Sequence, residues 1–257
     1  MSAISYTLAD LLIVAAAECW RDEGEILATG IGLIPRIAAA LSMLTNNPTM
    51  MMTDSEACIV SEPVPVGKRN GYEPKRETWM GFSRIFDNVW GGKRHALVGP
   101  NQIDRFGQTN ISCIGGSYEK PRVQILGVRG YPGNSISHRN SFFVPTHSRQ
   151  VFVANEVDMV ASIGYNPARL PKGYTLDDIE IGRIVTNLCA MDFNGPNKQV
   201  RVISLHPGVT LEQVRENTGF ELAVIDNLGE TLVPTAEQLA LIAKLDPHAL
   251  RASALLK

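Results

Sequence analysis

Neither sign of charge dominates this sequence: 24 Lys and Arg stand against 26 Asp and Glu. Without a basic excess there is no broad cationic face for a phosphate backbone, which argues against a nucleic-acid partner. Long hydrophobic runs are also missing. The run Leu11 to Ala17 is seven residues long, against the roughly 20 that span a bilayer. No basic stretch precedes it and Asp10 borders it, so it reads as a buried helix and as neither a signal peptide nor a membrane anchor. The cysteines number four, and Cys19, Cys58, Cys113 and Cys189 lack the spacing of a zinc knuckle or a redox CxxC. Scattered in this way they suit reduced, mostly buried thiols in a cytoplasmic protein. His95, His138, His147, His206 and His248 form no HxxxH or HExxH pattern, so no metal site is expected. There is no GxSxG elbow and no P-loop.

What is present is 44 % hydrophobic residues in a chain of 257, enough to bury a full core. Thr7 suits the N-cap of a helix over 8–20, with Asp10 facing its free N–H groups. A strand over 25–29, the turn Gly30-Ile31-Gly32, a helix over 35–44 and a strand over 49–53 follow. This alternation is the grammar of an α/β fold with an open, mostly parallel sheet flanked by helices. Residues 62–76 read as a long basic loop. Trp79, Phe82, Phe86 and Trp90, spaced by three and four, predict a helix whose aromatic stripe faces the core. Strands are expected at 95–98, 123–126, 151–153, 157–163 and 201–205. Thr210 to Gln213 and Thr235 to Gln238 are capping boxes that open two further helices, the second over 236–244, and Pro247 starts a last short one. With no linker or repeat, residues 1–257 read as one domain.

Four stretches could carry chemistry. Gly30-Ile31-Gly32, between strand and helix, allows close approach of backbone N–H groups to an anion, but position 35 is proline where a dinucleotide fingerprint needs glycine; a plain tight turn fits equally. Asp54-Ser55-Glu56 follows a strand, where open α/β sheets bind ligands. A carboxylate there can attack a thioester or act as general base, and the same residues can cap a turn. Gly99 to Asn110 holds amides and Asp104 directly after a strand, which suits a structured turn. Gly127 to Gly133 can form a nest of N–H donors for an oxyanion, and Arg129 within it can pair with a substrate carboxylate or simply sit on the surface.

Together these blocks resemble the β subunit of the family I coenzyme A transferases, glutaconate CoA-transferase in particular. The resemblance rests on Gly30 to Leu33, on Gln102-Ile103-Asp104 with Gly107 and Asn110, and on Gly127 to Gly133. His147 to Val153, and His206-Pro207-Gly208 through Phe220, complete it over about residues 25–222. Within that family the whole chain looks most like the β subunits of the cholesterol ring-cleaving CoA hydrolases of actinobacteria. The resemblance implies a cytoplasmic α2β2 enzyme whose β chain acts with an α subunit. Its substrate would be an acyl-CoA, a steroid-derived ring ketone opened by water at a carbon–carbon bond. No separate cofactor is implied, since coenzyme A belongs to the substrate. The catalytic residues implied here are Asp54, Ser55 and Glu56, and the substrate-binding ones Asn110, Gly127, Arg129, Gly130 and Tyr131. Transferases of the family carry a glutamate that becomes a glutamyl-CoA thioester. Anchored on Pro48 it falls on Ser55; anchored on the residues that follow, it falls on Glu56. A serine there implies a hydrolase, and Glu56 as nucleophile implies a CoA transferase. The main acid–base carboxylate is implied to lie on the α subunit.

Overall fold

The computed structural model describes residues 4–255, which fall into two compact units: residues up to Val98 together with those from Leu232 onward, and Gly99–Thr231.

The first unit opens with α1 (Leu8–Ala17). Thr7 and Asp10 form the capping box that starts it: Asp10 N–H donates to Thr7 Oγ1 at 3.2 Å and Thr7 N–H to Asp10 Oδ2 at 2.9 Å. Every residue from Ala9 to Ala17 is buried, which explains why the apolar run shows so little amphipathic patterning. After a single 3₁₀ turn, β1 (Leu27–Gly30) leads into α2 (Leu33–Leu44), which packs against α1. Gly30 is demanded by that packing, because a Cβ there would collide with the Pro35 carbonyl. A hairpin of β2 (Met52–Thr53) and β3 (Cys58–Val60) is extended by β4 (Arg76–Trp79) into a small antiparallel sheet. Then come α3 (Gly81–Trp90) and β5 (Arg94–Val98), which pairs in parallel with β1. Trp20 lies fully buried beneath β5 and donates its indole N–H to the His95 carbonyl at 3.2 Å.

The aromatic stripe over 79–90 is a correction to the sequence reading. Its helix exists, but the core takes the other side of it. Met80 and Val89 are buried and Ile85 packs on the cluster of Leu27, Ile59 and Met80, while Trp79, Phe82, Phe86 and Trp90 are exposed. A period of three and four says that one face of a helix is apolar, not which surface covers it.

In the second unit β6 (Gln102–Ile103) and β7 (Thr109–Asn110) form a short hairpin, and β8 (Cys113–Gly116) pairs antiparallel with β9 (Pro121–Gln124). After α4 (Tyr131–Ser137), β10 (Arg139–Val144) runs parallel to β11 (Ile181–Thr186). β12 (Cys189–Asp192) and β13 (Arg201–Leu205) continue antiparallel, and α5 (Leu211–Glu216) precedes β14 (Ala223–Glu230), parallel to β13. Phe142, Ile184, Val185, Met191 and Val202 are buried on these strands, as expected of a sheet covered on both faces. The long strands β1, β5, β10, β11, β13 and β14 all take a parallel neighbour, so the sheet is mostly parallel, as the alternation of elements predicts. The strands expected at 151–153 and 157–163 do not form. That stretch makes only isolated bridges, Ile103 with Phe152 and Thr109 with Ser162, because its hydrogen bonds go singly to the β6–β7 hairpin.

The chain then returns to the first unit as α6 (Ala236–Leu245), which packs on α1 and α2. Thr210 with Gln213 and Thr235 with Gln238 form the expected capping boxes. Beyond α6, Arg251 donates to Asp10 at 2.7 Å and to Asp246 at 3.1 Å. Burial alone would raise the Asp10 pKa, but Thr7 and Arg251 outweigh it and hold the carboxyl below its usual range. Among the described residues no helix is long and apolar enough to cross a membrane.

Candidate functional site

The candidate residues divide between the two units, and each set is built by its own local chemistry. In the first unit Asp54-Ser55-Glu56 forms the tip of the β2–β3 hairpin. Asp54 N–H donates to the Cys58 carbonyl at 3.0 Å, which closes the turn. The Asp54 carboxylate is buried and accepts the N–H groups of Glu56 at 3.0 Å and Cys58 at 3.4 Å. Arg76 Nε donates to its other oxygen at 2.8 Å. Burial pushes the Asp54 pKa up, but Arg76 and the two N–H groups outweigh it and the group sits below the ordinary carboxylate range. Asp54 is therefore an ionised anchor of the turn. What it anchors is Ser55, exposed and left-handed at φ +77°, a conformation that costs a residue with a Cβ about 1–3 kcal/mol and recurs at functional sites. Glu56 beside it is exposed, and among the described residues no cation forms an ion pair with its carboxylate.

Sequence reasoning missed the arginines round this corner. Arg69 donates to the Asp54 carbonyl at 3.2 Å. Burial, with Arg69 nearby, pulls the Arg36 pKa down while Asp54 supports its charge. The signal was the basic loop 62–76, which read as a loop and nothing more.

In the second unit Gly127 takes φ +93° and its N–H donates to the Ile111 carbonyl at 3.2 Å. Arg129 is exposed and left-handed at φ +48°, and Gly130 follows at φ −81°. Alternation of left- and right-handed residues turns successive N–H groups toward one concavity. Among the described residues nothing accepts from the N–H groups of Val128, Arg129 or Gly130, and nothing pairs with the Arg129 guanidinium. The loop thus offers free backbone donors and a free cation together. Tyr131 is buried, Thr109 Oγ1 donates to its hydroxyl at 3.3 Å, and burial pushes its pKa up to about 12. It is a neutral phenol at physiological pH.

Asn110 is fully buried with every side-chain group engaged. Its Nδ2 donates to Gln102 Oε1 at 2.8 Å and to the Cys113 carbonyl at 2.7 Å. Its Oδ1 accepts from Ser112 N–H at 2.9 Å and Cys113 N–H at 3.4 Å. Asp104 does the same for the turn, accepting from Phe106 N–H, Gln108 N–H and Gln108 Nε2. The structured turn expected between Gly99 and Asn110 is present, with Gly107 at φ +73° as its left-handed position.

His147 is buried against Phe152, ring centroids 4.1 Å apart, with its nitrogens held by the Thr186 and Thr218 hydroxyls. Burial pushes its pKa down to about 4. The folded state therefore disfavours the imidazolium, whereas the unfolded chain accepts a proton near pH ~6.5. Stability from this group is complete above pH ~6.5 and is lost as pH falls toward about 4. Relative to His147→Gln, the protein should gain about 2–3 kcal/mol of unfolding free energy between about pH 4.5 and pH 7. Urea melts of both proteins across that range measure it, and parallel curves would show that the ring does not titrate this way. Burial likewise raises the Cys189 pKa to about 12, so this thiol is not a nucleophile.

No protein-family model matches the sequence. The chain is 40 % identical over 246 residues to the cholesterol ring-cleaving hydrolase IpdB subunit of Mycobacterium tuberculosis, covering 95 % of this chain and 97 % of that one. It is 31 % identical to one of the two kinds of chain of the 3-oxoadipate CoA-transferase of Pseudomonas knackmussii, over 94 % of both chains. Its fold matches a chain of the crystal structure of Rhodococcus jostii RHA1 IpdAB with a TM-score of 0.88 and 39 % identity, covering 98 % of this chain and 99 % of that one. Glutaconate coenzyme A-transferase from Acidaminococcus fermentans shares the fold at a TM-score of 0.78 and 22 % identity, over 98 % of each chain.

Proposed function

The chain belongs to the coenzyme A transferase family, on its β-subunit branch, and from that premise we propose that it is the β subunit of a heteromeric hydrolase that opens a ring ketone of a steroid-derived CoA thioester. The observation that carries this reading is the end-to-end likeness, at 40 % identity, to ring-cleaving hydrolase IpdB subunits. The proposed assembly is a cytoplasmic α2β2 heterotetramer, and coenzyme A enters as part of the substrate.

The chemistry adds water across a carbon–carbon bond. A base removes a proton from water as its oxygen attacks the ring carbonyl. The bond to the neighbouring carbon then breaks, its electron pair departs to that carbon, and a proton completes it there, leaving a free carboxylate. The free N–H groups of residues 128–130 suit the oxyanion formed on attack, a type of contact worth about 3–4 kcal/mol in the barrier. The unpaired Arg129 suits a carboxylate on the substrate. Ser55 and Glu56, held out by Asp54, suit the orientation of the water, and the proton-transferring carboxylate is assigned to the α subunit.

Glu56 also supports a second reading. An exposed carboxylate without an ion-pair partner can attack a thioester and carry CoA as a glutamyl ester, as a transferase would. Incubation of the α/β pair with the acyl-CoA decides between them. Hydrolysis predicts a product one water heavier than the substrate, formed without any acceptor acid, and no CoA on this chain by intact-mass spectrometry. A covalent CoA adduct on Glu56, with turnover that requires an acceptor, would establish the transferase. In either case Arg129→Ala should lower kcat/KM by about 10–100-fold, the loss expected of one charge-assisted hydrogen bond. Arg129→Gly, which relieves the left-handed backbone, should be at least as stable as the parent and lose as much turnover. Unchanged kcat/KM in both would remove the carboxylate role.

A further inference from the structure

We propose that the exposed aromatic face of α3 and the end of β4 is the surface on which the α subunit docks; this rests on the reading of the chain as one half of a two-subunit enzyme. Phe82, Phe86 and Trp90 follow one another at four-residue steps along α3, so they form one stripe. Phe82 and Phe86 touch edge to face, ring centroids 5.3 Å apart. Trp79 joins them from β4. Its ring lies over Gly81, where a Cβ would come within 3.0–3.2 Å of the indole, and Gly81 takes φ +66°. The glycine is thus fitted to the tryptophan that covers it. Exposures of 75 % for Trp79, 75 % for Phe82, 48 % for Phe86 and 71 % for Trp90 are large for residues of this kind.

The area decides what such a face is for. At roughly 150–250 Å² per aromatic side chain, the four leave on the order of 400–670 Å² in water. That matches or exceeds the largest apolar patch of an ordinary monomer, roughly 300–600 Å². It also supplies half or more of the roughly 800 Å² that one partner buries in a standard interface. Side chains so exposed have no walls around them, whereas a small-molecule pocket is concave and encloses most of its ligand. Glu77, Ser83, Arg84 and Asp87 are exposed beside the stripe, so an apolar aromatic centre stands within a polar rim, the anatomy of a protein interface. The inner side of α3, through Met80, Ile85 and Val89, already holds the helix to its own unit, so the outer side is free to serve a partner. β4 continues from the β2–β3 hairpin, with Trp79 paired to Cys58. A partner seated on this face would stand next to the Ser55–Glu56 corner.

The test is Phe82→Glu/Phe86→Glu in the full chain, mixed with its own α subunit. Affinity is followed by sedimentation velocity and amide exchange by mass spectrometry. Docking predicts that the variant binds the α subunit about 100-fold or more weakly, while its own melting curve stays close to the parent's. It also predicts that amides of residues 79–90 in the parent are protected when the α subunit is added. An unchanged dissociation constant overturns the inference. So does intact pairing with a raised KM for the thioester, which would make the face an acyl-chain wall. So does a parent that self-associates through this face without ever pairing with the α subunit. A parent pair that assembles but turns over no CoA thioester would instead defeat the functional reading and leave the docking face standing.

Discussion

Asn110→Ala is expected to lower the unfolding free energy by about 3–5 kcal/mol, because it strands buried donors and acceptors of the β7–β8 turn. The side chain has no exposure and makes four hydrogen bonds, all to groups within three residues or on the facing strand. Removing it leaves the Ser112 and Cys113 N–H groups and the Cys113 carbonyl unpaired, each in a place that water does not reach freely. Gln102 keeps one partner, the Asp158 N–H at 3.0 Å, so the damage stays on the turn itself. Asn110→Asp retains the acceptor and should recover part of the loss. Urea denaturation measures both, and a variant that melts within about 1 kcal/mol of the parent, on the order of an ordinary surface change, would show that the turn repacks.

Arg251→Ala is the second large effect, about 3 kcal/mol or more. The arginine lies between two buried carboxylates, Asp10 on α1 and Asp246 after α6. Deleting one member of a buried ion pair costs more than the pair contributes, because the remaining charges are stranded. Asp10 keeps its Thr7 bonds and Asp246 keeps the Leu250 N–H, which moderates the penalty. The Asp10 pKa is lowered in the folded state, so the stability it contributes is present above its unfolded pKa and disappears as pH falls through the folded one. The deficit of Arg251→Ala should therefore shrink in acid. Arg251→Lys, with one point charge in place of a fork, should fall between. Thermal melts at neutral pH and near pH ~3 test the pattern, and a deficit that grows in acid would contradict it.

These two sites were legible in the sequence to different degrees. The capping boxes at Thr7, Thr210 and Thr235 are local codes, each complete within four residues, and all three form. The turn after Gly99 was legible for the same reason, since Asp104 and Asn110 satisfy near neighbours. Arg251 was not, because its partner Asp10 is 241 residues away and pattern reading does not reach that far. Residues 151–163 looked like strands, yet their hydrogen bonds serve the β6–β7 hairpin one at a time. Composition sees apolar content there but not the absence of a continuous partner. At the Asp54 corner the residue types were readable, whereas the left-handed turn at Ser55 and the arginines behind it depend on how three strands meet. The aromatic stripe was read as core for want of any local sign that Ile85 and Val89 would take that place.

The chain builds its first unit from both ends, with residues 99–231 between them. On the ribosome the second unit is therefore synthesised in full before α6 exists. At roughly 5–20 residues per second, α1 and α2 wait on the order of ten seconds with the surface that α6 covers still bare. A nascent chain in that interval is a substrate for chaperones, and cells that carry Arg251→Ala should show it as a lower yield of protein even where the purified enzyme works. A stop codon ahead of α6 would leave the middle of the protein to fold and its beginning without a mate.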